Sequence, residues 1–243
     1  MDKIKVNGIV VRSVPYGDYD KVLTLVTPER GKLAASARSV RKSSAKLKYA
    51  AEPFSFGEYM LAPASGGKLV VCECMQHDNF FGLTRDLERY YGGFMLLEIL
   101  EKLSSEEPNG PLMAAVLDGL KLLCYTDAAP KVAVSGTLLT VLEVLGYKLN
   151  FTSCAACGKE LGESVYFDAD SGFVCGVCRR PETSRTIQKS VFLHLLELDS
   201  IKSGCISDNI DGGIATAGSE LMVNILTELA GIKIKSASMF LYT

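Results

Sequence analysis

The sequence is poor in histidine and has no long uncharged apolar run. Its only two histidines, His77 and His194, lie far apart in the chain, and we expect structural roles for both rather than catalytic ones. No stretch approaches the roughly 18 apolar residues that a membrane helix requires. The segment that follows Met1 also lacks the apolar core of a signal peptide. We therefore expect a cytoplasmic protein with no membrane partner.

The chain also lacks a recognisable catalytic or phosphate-binding motif. The nearest match to a phosphate-binding loop is Gly66-Gly67-Lys68-Leu69, which lacks both the first glycine and the Ser/Thr that follows the lysine. This segment predicts a hairpin turn. Asp18 and Asp20 have no third acid at a spacing that would complete a metal site, and they are interpreted as turn residues. The sequence thus predicts a protein that is not an enzyme.

Length and composition are those of a globular protein with more than one domain. The 243 residues are 48% hydrophobic and 22% charged. The net charge of −2 is unevenly placed: residues 1–80 carry 12 Lys+Arg against 8 Asp+Glu, or +4, which leaves 14 against 20, or −6, for the rest. This asymmetry suggests a positive surface for a polyanion in the first third of the chain.

The first 80 residues have the pattern of short strands separated by turns. The apolar and β-branched segments are 4–14, 21–27, 33–37, 54–61 and 69–75. A five-stranded OB-fold is a common closed barrel of this length that binds nucleic acid. We therefore predict an OB-fold DNA-binding domain at 1–80.

After residue 80, the apolar residues recur at the spacing of an α-helix. Helices are predicted near 83–97, 112–123, 131–145, 186–200 and 217–230, with a different, cysteine-containing segment between the third and the fourth. We assign 81–150 and 181–243 to a helical domain and 151–180 to a zinc-binding module. The fold class predicted is therefore α+β multidomain.

Four cysteines have the spacing of a zinc module. Cys154 and Cys157 form one C-x2-C pair, 17 residues separate it from Cys175, and Cys178 completes the second pair. Each pair places two thiolates on a tight turn, and the hairpin between the pairs would bring four sulfurs around one ion.

Four protein ligands leave no open position, so the predicted ion is structural. Unpaired buried thiols and a redox C-x2-C pair are the alternatives. Asp168 and Asp170 are interpreted as turn residues, since a calcium site would need a longer loop that ends in a bidentate Glu. The remaining four cysteines are interpreted as core or incidental residues: Cys72, Cys74, Cys124 and Cys205.

A basic segment lies inside the predicted barrel. Seven cations and no acid occur between residues 30 and 51: Arg30, Lys32, Arg38, Arg41, Lys42, Lys46 and Lys48. A solvated face is the usual interpretation of such a run, but its place between strands favours a phosphate-binding track. Tyr49, Phe54, Phe56 and Tyr59 are candidates for stacking on bases or, equally, for the barrel core.

Several of these segments, taken in order, resemble the RecO family of bacterial recombination mediators. The resemblance is carried by 16–33, which begins Tyr-Gly-Asp, by the basic stretch 37–43, by 97–100 and 142–147, and by the cysteine segments 154–158 and 171–175. It implies an N-terminal OB-fold and a helical domain into which the zinc module is inserted. The chain departs from the family in having Ser39 where glycine is common and in being acidic overall.

The resemblance also implies a function and partners. Such a protein would bind single- and double-stranded DNA and anneal complementary strands. With RecR it would help RecA to load on DNA coated by single-strand-binding protein (SSB), whose C-terminal tail would dock on the helical part. A nucleobase deaminase would need an H-x-E motif, which neither histidine provides. A zinc-ribbon scaffold that binds only proteins is the remaining alternative.

Overall fold

A closed five-stranded barrel forms the N-terminal part of the computed structural model, which describes residues 3–201 and 210–243. Its strands are β1 (Ile4–Tyr16), β2 (Asp20–Thr27), β3 (Gly31–Ala37), β4 (Phe56–Pro63) and β5 (Leu69–Asp78). The strand order is β1-β2-β3-β5-β4, in which only β3 and β5 pair in parallel. All five predicted strands are confirmed, and Gly66 and Gly67 lie in the turn between β4 and β5 with positive φ angles.

Alternation along the strands divides their residues between two cores. Leu23 and Leu25 of β2 point into the barrel, where they pack with Tyr59 and Leu61 of β4. Ile9 of β1 packs instead in the core of the helical domain. One part of the barrel's outer surface is therefore apolar and covered by the helical domain.

The rest of the chain is mostly helical. The helices are α1 (Leu87–Leu103), α2 (Gly110–Tyr125), α3 (Pro130–Val144), α4 (Lys189–Ile201), α5 (Gly212–Ala230) and α6 (Ala237–Leu241). Asp86 and Asn109 cap α1 and α2, since their side chains accept hydrogen bonds from the N–H groups of Arg89 and Leu112. None of the helices in these described ranges is long and apolar enough to cross a membrane.

Two details of the helical prediction were wrong. Residues 186 and 187, predicted as the start of a helix, belong to the strand β8 (Arg185–Ile187), and α4 begins only at Lys189. The reason is tertiary, because β8 pairs with another strand of the cysteine module. The short helix α6 was not predicted. It is fixed by Lys131, whose ammonium donates to the carbonyl of Phe240 and pairs with Glu88.

The cysteine module is a three-stranded sheet. β6 (Val165–Asp168) and β7 (Gly172–Cys175) form the predicted hairpin, and β8 pairs with the other edge of β6. The sheet therefore continues to Ile187, past residue 180. Phe173 of β7 packs against Phe151 and Phe192, with ring centroids 5.0 and 5.3 Å away, and these contacts join the module to α4. The observed architecture confirms the predicted fold class; Cys205 lies outside the described residues.

Candidate metal centre and nucleic-acid interface

The four predicted ligands meet at one point of the cysteine module. The Sγ atoms of Cys154, Cys157, Cys175 and Cys178 all lie within 4.8 Å of one another, and those of Cys157 and Cys175 are 4.0 Å apart. A tetrahedral ion with bonds of about 2.3 Å to sulfur would separate its ligands by about 3.8 Å. The arrangement thus fits a metal ion held by four thiolates.

Backbone geometry prepares Cys154 to act as a thiolate. Its Sγ accepts a hydrogen bond from the N–H of Cys175 at 3.4 Å. Burial raises the pKa of the Cys154 thiol, but the N–H groups of Cys175, Cys157 and Ala156 outweigh this effect and lower the pKa to about 6. The thiolate, which is the form that binds metal, is therefore favoured at neutral pH. Gly158 ends this turn with a φ of 72°, a conformation that favours glycine.

A buried carboxylate fastens the chain that follows the second cysteine pair. Asp168 is only 1% exposed, and it pairs with both Nε and Nη2 of Arg180. The hydroxyls of Thr183 and Ser184 donate to its Oδ2 at 2.9 and 3.1 Å. These donors, Arg180 foremost, hold the pKa of the Asp168 carboxyl well below its usual range. Sequence reasoning treated this residue only as part of a turn, because its partners become neighbours only in the folded module.

The seven cations of the basic segment occupy two places on the barrel. Arg30 and Lys32 lie at the start of β3, next to the helical domain. The other five lie beyond the far end of β3, in the loop 38–48, and all five are exposed: Arg38, Arg41, Lys42, Lys46 and Lys48. We call residues 38–48 the basic loop. Lys32 is not free, since its Nζ donates to the carbonyl of Glu101 at 3.0 Å. The basic segment is therefore not one continuous track.

The basic loop is held against the β1–β2 hairpin. The Arg41 guanidinium donates to the carbonyls of Gly17 and Asp18 at 3.2 and 3.0 Å. Asp20 accepts a hydrogen bond from the N–H of Ser39 at 2.7 Å. Ser39 has a φ of 54°, which explains why glycine would suit this position. Arg41 thus helps to shape the loop, whereas Arg38, Lys46 and Lys48 have no carboxylate within 4 Å in the described part of the chain.

Only one of the four candidate aromatic residues is well exposed. Tyr49 is 70% exposed beside the basic loop. Tyr59 is wholly buried in the barrel, where its hydroxyl donates to the carbonyl of Ala50 at 2.8 Å. Phe54 is buried against Phe94 of α1, with ring centroids 4.8 Å apart. Of the two alternatives left open for these residues, the core role therefore holds for Phe54 and Tyr59, Tyr59 in the barrel and Phe54 in the core of the helical domain.

Sequence reasoning missed two exposed tyrosines at the tip of the β1–β2 hairpin. Tyr16 and Tyr19 are 64% and 53% exposed, and the ammonium of Lys42 lies 5.0 Å from the centre of the Tyr19 ring. Their position on either side of a Gly-Asp turn is the signal that could have found them. The loop and the hairpin together present cations and aromatic faces on one surface.

The two histidines have different environments. His77 is exposed and its ring lies 5.8 Å from that of Phe56. His194 of α4 is buried beside Gly218 of α5, and neither ring nitrogen has a hydrogen-bond partner among the described residues.

Comparisons with known proteins place the chain among DNA repair proteins. Two family descriptions match it: "Recombination protein O N terminal" over residues 1–76 and "Recombination protein O C terminal" over residues 84–198. The chain is 33% identical over 231 residues to the DNA repair protein RecO of Anaeromyxobacter sp. (strain K), covering 90% of this chain and 84% of that protein. It is 32% identical over 190 residues to the DNA repair protein RecO of Streptomyces griseus, covering 74% and 76%.

Proposed function

Since this chain belongs to the RecO family of DNA repair proteins, we propose that it binds single- and double-stranded DNA and anneals complementary strands. With RecR it would assist RecA to load on DNA coated by SSB, without catalysing a reaction itself. The observation that carries the proposal is the basic loop, which exposes five cations next to three exposed tyrosines on the barrel surface.

This surface has the chemistry of a sequence-independent nucleic-acid site. Cations that neutralise phosphates release condensed counterions, and this release drives binding irrespective of sequence. Tyrosine rings can stack on any base, which suits single strands with unpaired bases. The hydrogen bonds of Arg41 hold the basic loop against the β1–β2 hairpin in the absence of DNA. Two strands held at such a surface would anneal where their bases are complementary, so base pairing and not the protein would supply the sequence specificity.

We propose zinc as the metal and a structural role for it. Four thiolates around one point suit a soft or borderline ion, and they leave no position for a water molecule or substrate. The ion would join the two cysteine pairs, while Asp168 and Arg180 fasten the chain beyond them. The module would then stay folded although its own apolar core is small.

A DNA-binding assay with a charge-matched control tests the proposal. In the variant Arg38→Gln/Lys46→Gln/Lys48→Gln, three exposed cations are lost while Arg41 keeps the loop in shape. Affinity for a 20-nucleotide single strand is measured by fluorescence anisotropy across a salt series. Each lost phosphate contact should reduce the log–log salt slope by about 0.7, so we expect a slope less steep by about 2 and a loss of strand annealing.

The control is Lys3→Gln/Lys5→Gln/Lys68→Gln, which removes the same charge from other parts of the barrel surface. It should retain the wild-type slope. No DNA binding by the wild-type protein, or equal effects of the two triple variants, would show that the loop is only a solvated face. Binding of partner proteins without any binding of DNA would instead favour the zinc-ribbon scaffold.

A further inference from the structure

We propose that a groove between the barrel and the helices α1 and α6 is a second binding site for phosphate groups of the nucleic-acid strand held by the basic loop. The inference rests on the proposed function, because it extends the path of the same strand. The groove has a volume of about 620 Å³. Its charged lining residues are Arg12, Lys32, Glu98, Glu101, Lys102 and Lys235.

Both carboxylates of the groove are already occupied within the protein. Glu98 accepts hydrogen bonds from the N–H groups of Lys235 and Ser236 at 2.9 and 2.8 Å, and from the Ser236 hydroxyl at 2.6 Å. Glu101 pairs with Nε of Arg12 at 3.0 Å. The acids thus position the groove walls, and they leave an excess of positive charge, with four cations against two carboxylates.

Two of the lysines carry that excess charge. Lys235 is exposed, and no carboxylate lies within 4 Å of its ammonium in the described ranges. Lys32 donates to the neutral carbonyl of Glu101, so its charge is not compensated by that contact. A groove with uncompensated ammonium groups at its edge favours a polyanion over a neutral ligand.

Strand β3 connects this groove to the basic loop along an uncharged path. Ala35 and Ala37 point into the barrel, so the alternate residues Ala34 and Ser36 point outward, in line with Lys32 at one end and Arg38 at the other. Arg38 follows Lys32 by six residues, which corresponds to about 20 Å of extended chain. At about 3.4 Å per phosphate on one strand of a B-form duplex, this distance corresponds to about six phosphates, and to fewer on a stretched single strand.

The small outward side chains let a strand lie close to the barrel between the two cationic ends. Thr24 of β2 pairs in register with Ala34 and with Arg12 of β1, so Arg12 of the groove lies in the same outward-facing row as Ala34. A polymer with regularly repeated negative charge can contact both ends at once. A single small anion could contact only one.

The variant Lys32→Gln/Lys235→Gln tests the second site. It removes the two lysines whose charge is not compensated by a carboxylate, and glutamine preserves most of the side-chain length. We expect the salt slope for a 20-nucleotide strand to be less steep by about 1.4, since two contacts are lost at about 0.7 each. The control is Lys121→Gln/Lys148→Gln, which removes two lysines paired with Asp118 and Glu143 on other helices. The control should bind as the wild type does.

The outcomes separate this inference from the proposed function. A steep wild-type slope that is unchanged in the groove variant would overturn the inference alone, whereas absence of wild-type binding would overturn both. The single variant Lys235→Gln, at an exposed position, should show about half the effect, and it guards against misfolding of the double variant. If the groove variant bound DNA normally but no longer bound an oligoglutamate peptide, the groove would be a site for acidic protein segments and the inference would be wrong.

Discussion

Among single residues, the buried His194 has the clearest consequence for stability. Its ring is 5% exposed, and neither nitrogen has a partner among the described residues. Burial lowers the pKa of His194, although Glu197 raises it slightly. The unfolded chain, with a histidine pKa of about 6.5, therefore binds a proton at a pH where the folded protein does not. Burial of His194 should therefore leave the folding stability unaffected above about pH 6.5, and the stability should decrease as the pH falls below this value.

We predict that His194→Leu reduces the loss of stability between pH 7.0 and 5.5. Leucine cannot be protonated, whereas the histidine can contribute a slope of up to about 1.4 kcal/mol per pH unit. Urea unfolding at several pH values measures the difference between variant and wild type. The control His194→Gln also removes the ionisable ring but keeps a polar side chain at the same position, and it should reduce the dependence on pH as His194→Leu does. Parallel pH profiles for wild type and His194→Leu would contradict the prediction.

At the scale of an element, the hairpin β6–β7 carries the candidate metal centre between its two cysteine pairs. We predict that Cys157→Ser abolishes stoichiometric metal binding and makes residues 151–187 sensitive to protease. The physical reason is that structural zinc supplies roughly 10 to 16 kcal/mol of apparent binding free energy in small peptides, more than a small three-stranded sheet gains from burial alone. Elemental analysis and limited proteolysis measure the two effects.

The matched control for this element is Cys72→Ser, which changes a half-buried cysteine of β5 in the barrel. It should keep one metal ion per chain. Chelation of the wild-type protein should reproduce the protease pattern of Cys157→Ser without loosening the barrel, since β1–β5 close on themselves. Retained metal and unchanged proteolysis in Cys157→Ser would rule out the four-thiolate site.

At the scale of the whole molecule, Gly31 lies at one of the contacts between the barrel and the helical domain. It has a φ of 61°, and a Cβ atom there would lie 2.4 Å from the carbonyl oxygen of Glu107 and 2.5 Å from that of Ser105. The N–H of the neighbouring Lys32 donates to the same Ser105 carbonyl at 2.7 Å. The loop between α1 and α2 thus rests directly on the barrel backbone.

We predict that Gly31→Ala destabilises the protein by about 2 kcal/mol or more, because backbone strain of about 1 to 2 kcal/mol is added to a clash that only a shift of the α1–α2 loop can relieve. Gly17→Ala separates the two effects. Gly17 has a similar φ of 59°, but nothing lies within 4 Å of its Cβ position. Thermal unfolding of both variants is the measurement. Equal losses of stability would mean that contact between barrel and helices is not tight at this point.

Local patterns were sufficient to predict most of the elements and the cluster of four cysteines. Alternation with a period of two gave the five barrel strands, and two C-x2-C pairs at suitable spacing gave Cys154, Cys157, Cys175 and Cys178. These features depend on residues near one another in the chain or on one hairpin. The strand β8 could not be predicted in this way, because its only reason to be extended is pairing with β6.

What the sequence by itself determined was therefore the fold class, the cysteine cluster and the presence of a basic segment. Only the tertiary structure decided that the basic segment is divided between two places on the barrel, since strand β3 separates Lys32 near its start from Arg38 directly after its end. It also decided which aromatic side chains are exposed. Tyr19 lies at the exposed tip of the β1–β2 hairpin, whereas Tyr59 is buried inside the closed barrel. Charge and aromatic content are properties of the chain, but which side chains face the same solvent is set by long-range packing.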